Sequence, residues 1–258
     1  MNIDFNYTCF MTYVTVYCIL NCNFVKMTPK IEITNCQDCR SFNSSVFCNL
    51  NNNLLADLNR DKSVLIFKKG QYIFSEGARP QGICCIRKGS VKIHKFGLNK
   101  DQIVRIGYKS DIIGYRALIA NEFYSATAEA LEDTEVCIIS KSSFLKFINS
   151  DKEFPLKIMR ILSTDVKNAE NNTMNIAQST VMERLATYLF LKHKRASESD
   201  TQEVFSYSRK DLSDIIGCAP ETISRAIADL RETGIISIYK KDIKVQDIYR
   251  LRRIVNNF

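Results

Sequence analysis

The sequence predicts an α+β chain in three parts: a compact antiparallel β barrel, a long helix, and a small C-terminal domain of short helices closed by a β hairpin. Three observations carry the prediction. Seven of the nine glycines fall between Gly70 and Gly114 among short β-branched runs, the pattern of tight turns between strands. From Glu153 to about Lys194 there is no glycine and only one proline, Pro155, at a helix-start position. Near the C-terminus two short helical patterns flank Gly217. At 258 residues, 45% hydrophobic and 25% charged, the chain has a globular composition, and a wholly disordered or fibrous chain is excluded. Its mean hydropathy of −0.15 excludes a polytopic membrane protein. Thirty-six Lys and Arg against 28 Asp and Glu leave +8, a surplus that suits a polyanionic partner without requiring one.

Residues 1–26 are expected to be a leader, either disordered or translated from a start assigned too far upstream. Tyr7 to Val25 is apolar-leaning and uncharged, so a signal peptide or membrane anchor has to be weighed. Against both, Met1 to Asn6 carries only Asp4, no A-x-A-like cleavage site follows, and Thr8, Thr12, Thr15, Asn21 and Asn23 break the run. The expectation is a cytoplasmic protein with no membrane partner.

Residues 27–52 form a cysteine-bearing segment. Cys36-Gln37-Asp38-Cys39 is a C-x-x-C pair, and Cys48 follows after eight residues, which is how ligands for a metal or a cluster are grouped. Ten cysteines in a chain this long and poor in Gly and Pro do not read as a secreted disulfide scaffold. Residues 53–150 are expected to be the β barrel, entered by a helix at 53–58 and left by one at 142–149. The neighbours Cys84 and Cys85 point to opposite faces of a strand, so at most one of them can join a site.

Residues 153–178 read as a dimerisation helix. Ile158, Ile161, Leu162, Asp165, Ala169, Asn172 and Ile176 recur at three-and-four spacing, and a long stripe holding Asp or Asn suits a helix–helix seam. Packing of the stripe on its own β domain is the alternative. A further amphipathic helix is expected over 181–193 and a loop over 192–202.

Residues 179–258 carry the densest local signals. Ser208-Arg209-Lys210-Asp211 has capping-box form, so a helix starts at Arg209 and ends at Gly217. Pro220 suits a first helical position, and a second helix runs to about Glu232 with Ile223, Ile227 and Leu230 inward. That leaves Glu221, Thr222, Ser224 and Arg225 outward at its first turn. Runs 235–239 and 243–245 around Lys240, Lys241 and Asp242 read as a hairpin. Together these make a winged helix-turn-helix, which presents the first turn of its second helix to the DNA major groove. Arg225 suits guanine O6 and N7, Glu221 suits cytosine N4, and Ser224 suits a base or a phosphate. Thr222, Lys240 and Lys241 suit phosphates. A solvated charged face on a structural domain is the competing reading. An enzyme lacks support: His94 and His193 lie in separate domains, form no H-E-x-x-H, and read as surface residues.

Three stretches resemble the CRP/FNR family of bacterial transcription factors: Arg87-Lys88-Gly89-Ser90-Val91-Lys92, Glu183-Arg184-Leu185-Ala186, and Ile216 through Arg225. The resemblance covers about residues 35–248 and implies a β barrel of the cyclic-nucleotide-binding jelly-roll type, a homodimer, double-stranded DNA, and RNA polymerase as partners. Glu221-Thr222-Ile223-Ser224-Arg225 looks like the oxygen-sensing branch, which implies palindromic sites with half-sites similar to TTGAT. That branch holds a [4Fe–4S] cluster on an N-terminal cysteine group and one distant cysteine, which Cys36, Cys39, Cys48 and Cys137 resemble; the gap from Cys39 to Cys48 is longer than that branch shows. Four thiolates suit such a cluster. Structural zinc, or thiols that bind no metal, are the other fillings. Family members that take cyclic AMP carry Gly-Glu and, about ten residues later, Arg-Ser. Here Gly114-Tyr115 and Tyr124-Ser125 stand in those places, without the carboxylate or the guanidinium that grips a phosphate, which argues against cyclic AMP. A regulator gated by another small ligand or by thiol oxidation, and a sensor that binds a protein instead of DNA, are the rivals.

Overall fold

The computed structural model describes residues 35–97, 101–198, 205–240 and 242–255. The expected leader and Lys241 lie outside the described residues. A 3-10 turn, Cys36–Asp38, leads through further tight turns into helix α1 (Asn52–Asp61), where the Asn51 side chain accepts the Leu54 N–H at 3.0 Å. Eight strands follow: β1 (Ser63–Phe67), β2 (Tyr72–Phe74), β3 (Gly82–Lys88), β4 (Val91–Phe96), β5 (Asp101–Gly107), β6 (Ile112–Ile113), β7 (Thr127–Ala130) and β8 (Thr134–Ser140), with helix α2 (Tyr115–Ala120) between β6 and β7. They form two four-stranded sheets in the orders β1-β8-β3-β6 and β2-β7-β4-β5.

Strand β3 is buried on both faces, and its alternation divides the cores. Cys84 and Ile86 join Val91, Ile93, Ala128 and Val136 between the sheets. Ile83 and Cys85 look outward, where α1, helix α3 (Lys141–Ser150) and the start of helix α4 (Glu153–Gln178) cover them with Phe47, Phe144, Phe147 and Phe154.

The Asp151 carboxylate accepts the Glu153 and Phe154 N–H groups and so starts α4. The stripe expected to be a seam is divided. Phe154 and Ile158 are buried, and Ile161 and Leu162 pack on the same core. Asp165 accepts Arg105 Nη1 at 3.0 Å and the Tyr115 hydroxyl, which fastens the helix to its own β domain. The large apolar residues of α4 left in solvent are Leu156, Met159, Val166, Met174 and Ile176, and Ala169 of the stripe is exposed as well.

Helix α5 (Val181–Glu198) opens on a capping box between Thr180 and Glu183. It runs past His193, through residues expected to be a loop. Lys192 and Arg195 lie over the Tyr108 ring, 4.1 and 4.0 Å from its centre, and this tertiary support holds the added turn. The C-terminal domain comprises β9 (Phe205–Ser206), α6 (Arg209–Ile216), α7 (Pro220–Glu232), β10 (Ile236–Tyr239), β11 (Asp242–Val245) and α8 (Ile248–Ile254), with its own core around Leu185, Leu189, Leu212, Ile223, Ile227 and Leu251. No helix among the described residues is long and apolar enough to cross a membrane.

Candidate nucleic-acid interface and cysteine cavity

The Ser208 hydroxyl accepts the Asp211 N–H at 2.9 Å and starts α6; Gly217, at φ +75°, ends it in a left-handed turn that a β-carbon would strain. Pro220 then occupies the first position of α7, where its missing N–H costs nothing. Ile223, Ala226, Ile227 and Leu230 are buried against the domain core. The opposite face is therefore turned to solvent, and Glu221, Thr222, Ser224 and Arg225 are all exposed on it. The Ser224 hydroxyl donates to the Pro220 carbonyl at 2.8 Å, which leaves its lone pairs to accept. Arg225 forms no ion pair among the described residues, so its guanidinium keeps its donors for a partner. Lys240 is exposed at the tip of the β10–β11 hairpin with φ +56°.

The second site lies on the outward face of β3 and β8. Cys36 and Cys39, at the ends of the first turn, line one cavity with Cys137 of β8. Cys48 does not line it. Successive tight turns, from the Cys39 carbonyl to the Phe42 N–H, from Phe42 to Ser45 and from Ser45 to Cys48, carry the chain past the opening; Cys48 ends with its carbonyl accepting from Lys157. A fourth sulfur in the wall is that of Cys85, which sequence reasoning left aside. Lys62 and Arg87 also line the cavity. The Lys62 ammonium lies 2.9 Å from Cys36 Sγ and donates to Asn59 Oδ1, which also accepts the Cys36 N–H at 2.7 Å. Burial, and next the neighbouring Cys36 sulfur, push the Cys137 thiol up to about 11. Among the described residues no three His, Cys, Asp or Glu side chains are set to hold a single metal ion; the sulfurs surround a space, not a point.

The stretch where a cyclic nucleotide would be gripped is filled by aromatic side chains. Tyr115 is buried and reaches Asp165, and the Tyr124 ring stacks on Phe74 with centres 3.9 Å apart, leaving a cavity of about 30 Å³. Arg116 is exposed. His94, expected at the surface, is buried on β4: it follows Ile93 across a β-bulge, and Tyr72, Phe96 and Glu129 cover it. His193 is half-buried.

Comparison with known proteins joins both halves. The family model "Cyclic nucleotide-binding domain" matches residues 64–151, and the model "Crp-like helix-turn-helix domain" matches residues 183–254. The chain is 26% identical to the fumarate and nitrate reduction regulatory protein of Yersinia pestis over 230 residues, covering 86% of this chain and 90% of that protein. It is 27% identical to the anaerobic regulatory protein of Pasteurella multocida over 224 residues, covering 84% and 81%. FixK2 from Bradyrhizobium japonicum superposes with a TM-score of 0.69 at 24% identity, over 76% of this chain and 98% of that one. With a cyclic-nucleotide-binding fold, a long helix and a Crp-like helix-turn-helix in that order, the chain belongs to the CRP/FNR family of DNA-binding transcription regulators, which are not enzymes.

Proposed function

We propose that this regulator binds palindromic DNA with TTGAT-like half-sites as a homodimer, and that its DNA affinity follows oxygen or redox state through a [4Fe–4S] cluster. The observation that carries the DNA reading is the solvent-facing set Glu221, Thr222, Ser224 and Arg225 on the first turn of α7, opposite a wholly apolar buried face. Arg225 donates to guanine, Glu221 accepts from cytosine, Ser224 contacts a base or phosphate, and Thr222, Lys240 and Lys241 hold the backbone. The exposed Leu156, Met159, Val166 and Met174 of α4 form the face for a second copy. Two copies place two reading helices about 34 Å apart, one DNA turn. A cytoplasmic location and contact with RNA polymerase follow from this role.

The donor set of the cysteine cavity suits a cluster: the Cys36, Cys39 and Cys137 sulfurs line it together with Lys62 and Arg87. Such a group, when bound, supplies oxygen lability. Cys36, Cys39 and Cys137 would hold it, with Lys62 donating to the Cys36 sulfur. Of the ligands Cys36, Cys39, Cys48 and Cys137 that the resemblance implies, Cys48 is the one that does not line this cavity. Because Phe74 and Tyr124 fill the nucleotide stretch, cyclic AMP is not the ligand we infer. The test compares DNA affinity of oxygen-free and aerated protein on one TTGAT palindrome. Tighter binding without oxygen supports the reading; equal affinity refutes oxygen gating while leaving the DNA assignment to Arg225 variants.

A further inference from the structure

Two observations about β3 meet in the cysteine cavity. Adjacent residues of a strand face opposite ways, so Cys84 enters the core between the sheets and Cys85 emerges on the outer face with Ile83. The β3–β8 register sets Cys85 directly opposite Cys137. Directly opposed residues on neighbouring strands hold their β-carbons about 4.5–5.5 Å apart on one face. Cys85 and Cys137 are thus a pair fixed by the sheet, as Cys36 and Cys39 are a pair fixed by the 3-10 turn, and all four line one cavity.

The four sulfurs border a common space. Its volume of about 40 Å³ exceeds the roughly 10–15 Å³ that one water needs. Two cations border it, Lys62 against Cys36 and Arg87 two residues along β3 from Cys85. Arg87 is itself set by Glu135 at 3.0 Å, and its carbonyl accepts the Ser41 hydroxyl at 2.8 Å, which ties the cysteine turn to the strand carrying Cys85. An anionic group carried by four thiolates would have Lys62 and Arg87 among its neighbours.

We propose that Cys85, in place of Cys48, is the fourth sulfur ligand, completing a set with Cys36, Cys39 and Cys137; this assignment rests on the cluster reading above. The set is two plus two, one pair from a turn and one from neighbouring strands. Cys48 is then a packing residue of the segment held by Lys157.

The test is iron and acid-labile sulfide content, with the visible spectrum, of full-length protein reconstituted without oxygen. Four proteins are compared: wild type, Cys48→Ser, Cys85→Ser and Cys85→Ala. Cys85→Ala keeps a small apolar group in the buried position, and thermal melting of each iron-free protein shows which variants are folded. The proposal expects Cys48→Ser to keep wild-type iron, sulfide and absorbance near 400 nm, and the folded Cys85 variants to lose at least nine-tenths of each. Loss of iron in Cys48→Ser overturns it, as does full retention in a folded Cys85 variant. A wild-type protein that takes up no iron overturns the cluster reading itself, a result distinct from either.

Discussion

Lys92 of β4 and Asp211 of α6 lie 119 residues apart in the chain, and the lysine Nζ is 3.1 Å from the Asp211 Oδ1. The same ammonium is 3.1 Å from Glu129 Oε1, and all three side chains are largely shielded from solvent. Nearby, Gln102 Nε2 donates to the Asp214 carbonyl at 2.7 Å. The β4–β5 hairpin therefore grips the first helix of the helix-turn-helix, and the β domain is joined to the DNA-reading unit by polar contacts.

Lys92→Gln is expected to leave two shielded carboxylates without their cation and to cost about 1–3 kcal/mol. Urea unfolding at pH 7.5 measures it. Burial alone would raise Asp211, but the Ser208 hydroxyl and Lys92 outweigh it and hold its carboxyl below the usual carboxylate range. A depressed carboxyl stabilises above its unfolded value and loses that contribution as pH falls through the folded one, so the Lys92–Asp211 contact fails only below about pH 4. Burial opposes the charge on Lys92 as well, and Asp211 and Glu129 overcome it, so the lysine stays charged to above its ordinary value of 10.5. Between pH 5 and 9, at ordinary reference values of about 4 and 10.5, this contact adds no slope.

His94 supplies a slope in that range. Burial, and next the Lys92 ammonium, hold it below its ordinary 6.5 although Glu129 and Asp101 pull the other way. Below pH 6.5 the unfolded chain takes up a proton that the folded one refuses, so stability falls on acidification and this contribution is complete above 6.5. The urea midpoint of wild type should drop more between pH 7.5 and 5.5 than that of His94→Gln. An equal drop would place the acid sensitivity elsewhere.

The local signals of the C-terminal domain were legible because each acts within a few residues. The Ser208 cap, Gly217 and Pro220 bound α6 and α7 at the expected positions, and the inward set Ile223, Ile227 and Leu230 fixed the outward face. What escaped the sequence depended on distant partners. Cys85 enters the sulfur cavity only through its register with Cys137, and Cys48, near Cys39 in sequence, is carried off by the turns between them. The end of α5 is lengthened by Tyr108, 84 or more residues earlier, and half of the α4 stripe is claimed by Arg105, Tyr115 and the core of the β domain.

Val166 is 57% exposed near the middle of α4. Val166→Glu, on the proposed seam, should shift sedimentation from dimer to monomer and weaken binding to a two-half-site duplex by about 10²-fold or more, since linked half-sites gain that much from effective concentration. Single half-site affinity should stay near wild type.

Lys240 and Arg225 should differ in kind. Removing a phosphate contact with Lys240→Ala should weaken binding alike on all sequences and lower the salt slope by about 0.9. Removing a base contact with Arg225→Ala should cost about 1–3 kcal/mol, on the order of 5- to 150-fold, and relax preference at one base pair of each half-site.

The most direct measurement is a hydroxyl-radical footprint of oxygen-free protein on a duplex carrying two TTGAT-like half-sites, for wild type and Arg225→Ala. Two protected patches about 34 Å apart, present for wild type and lost or spread over the duplex for the variant, are the predicted result. Protection that Arg225→Ala leaves unchanged in place and strength would contradict the assignment of DNA reading to the first turn of α7.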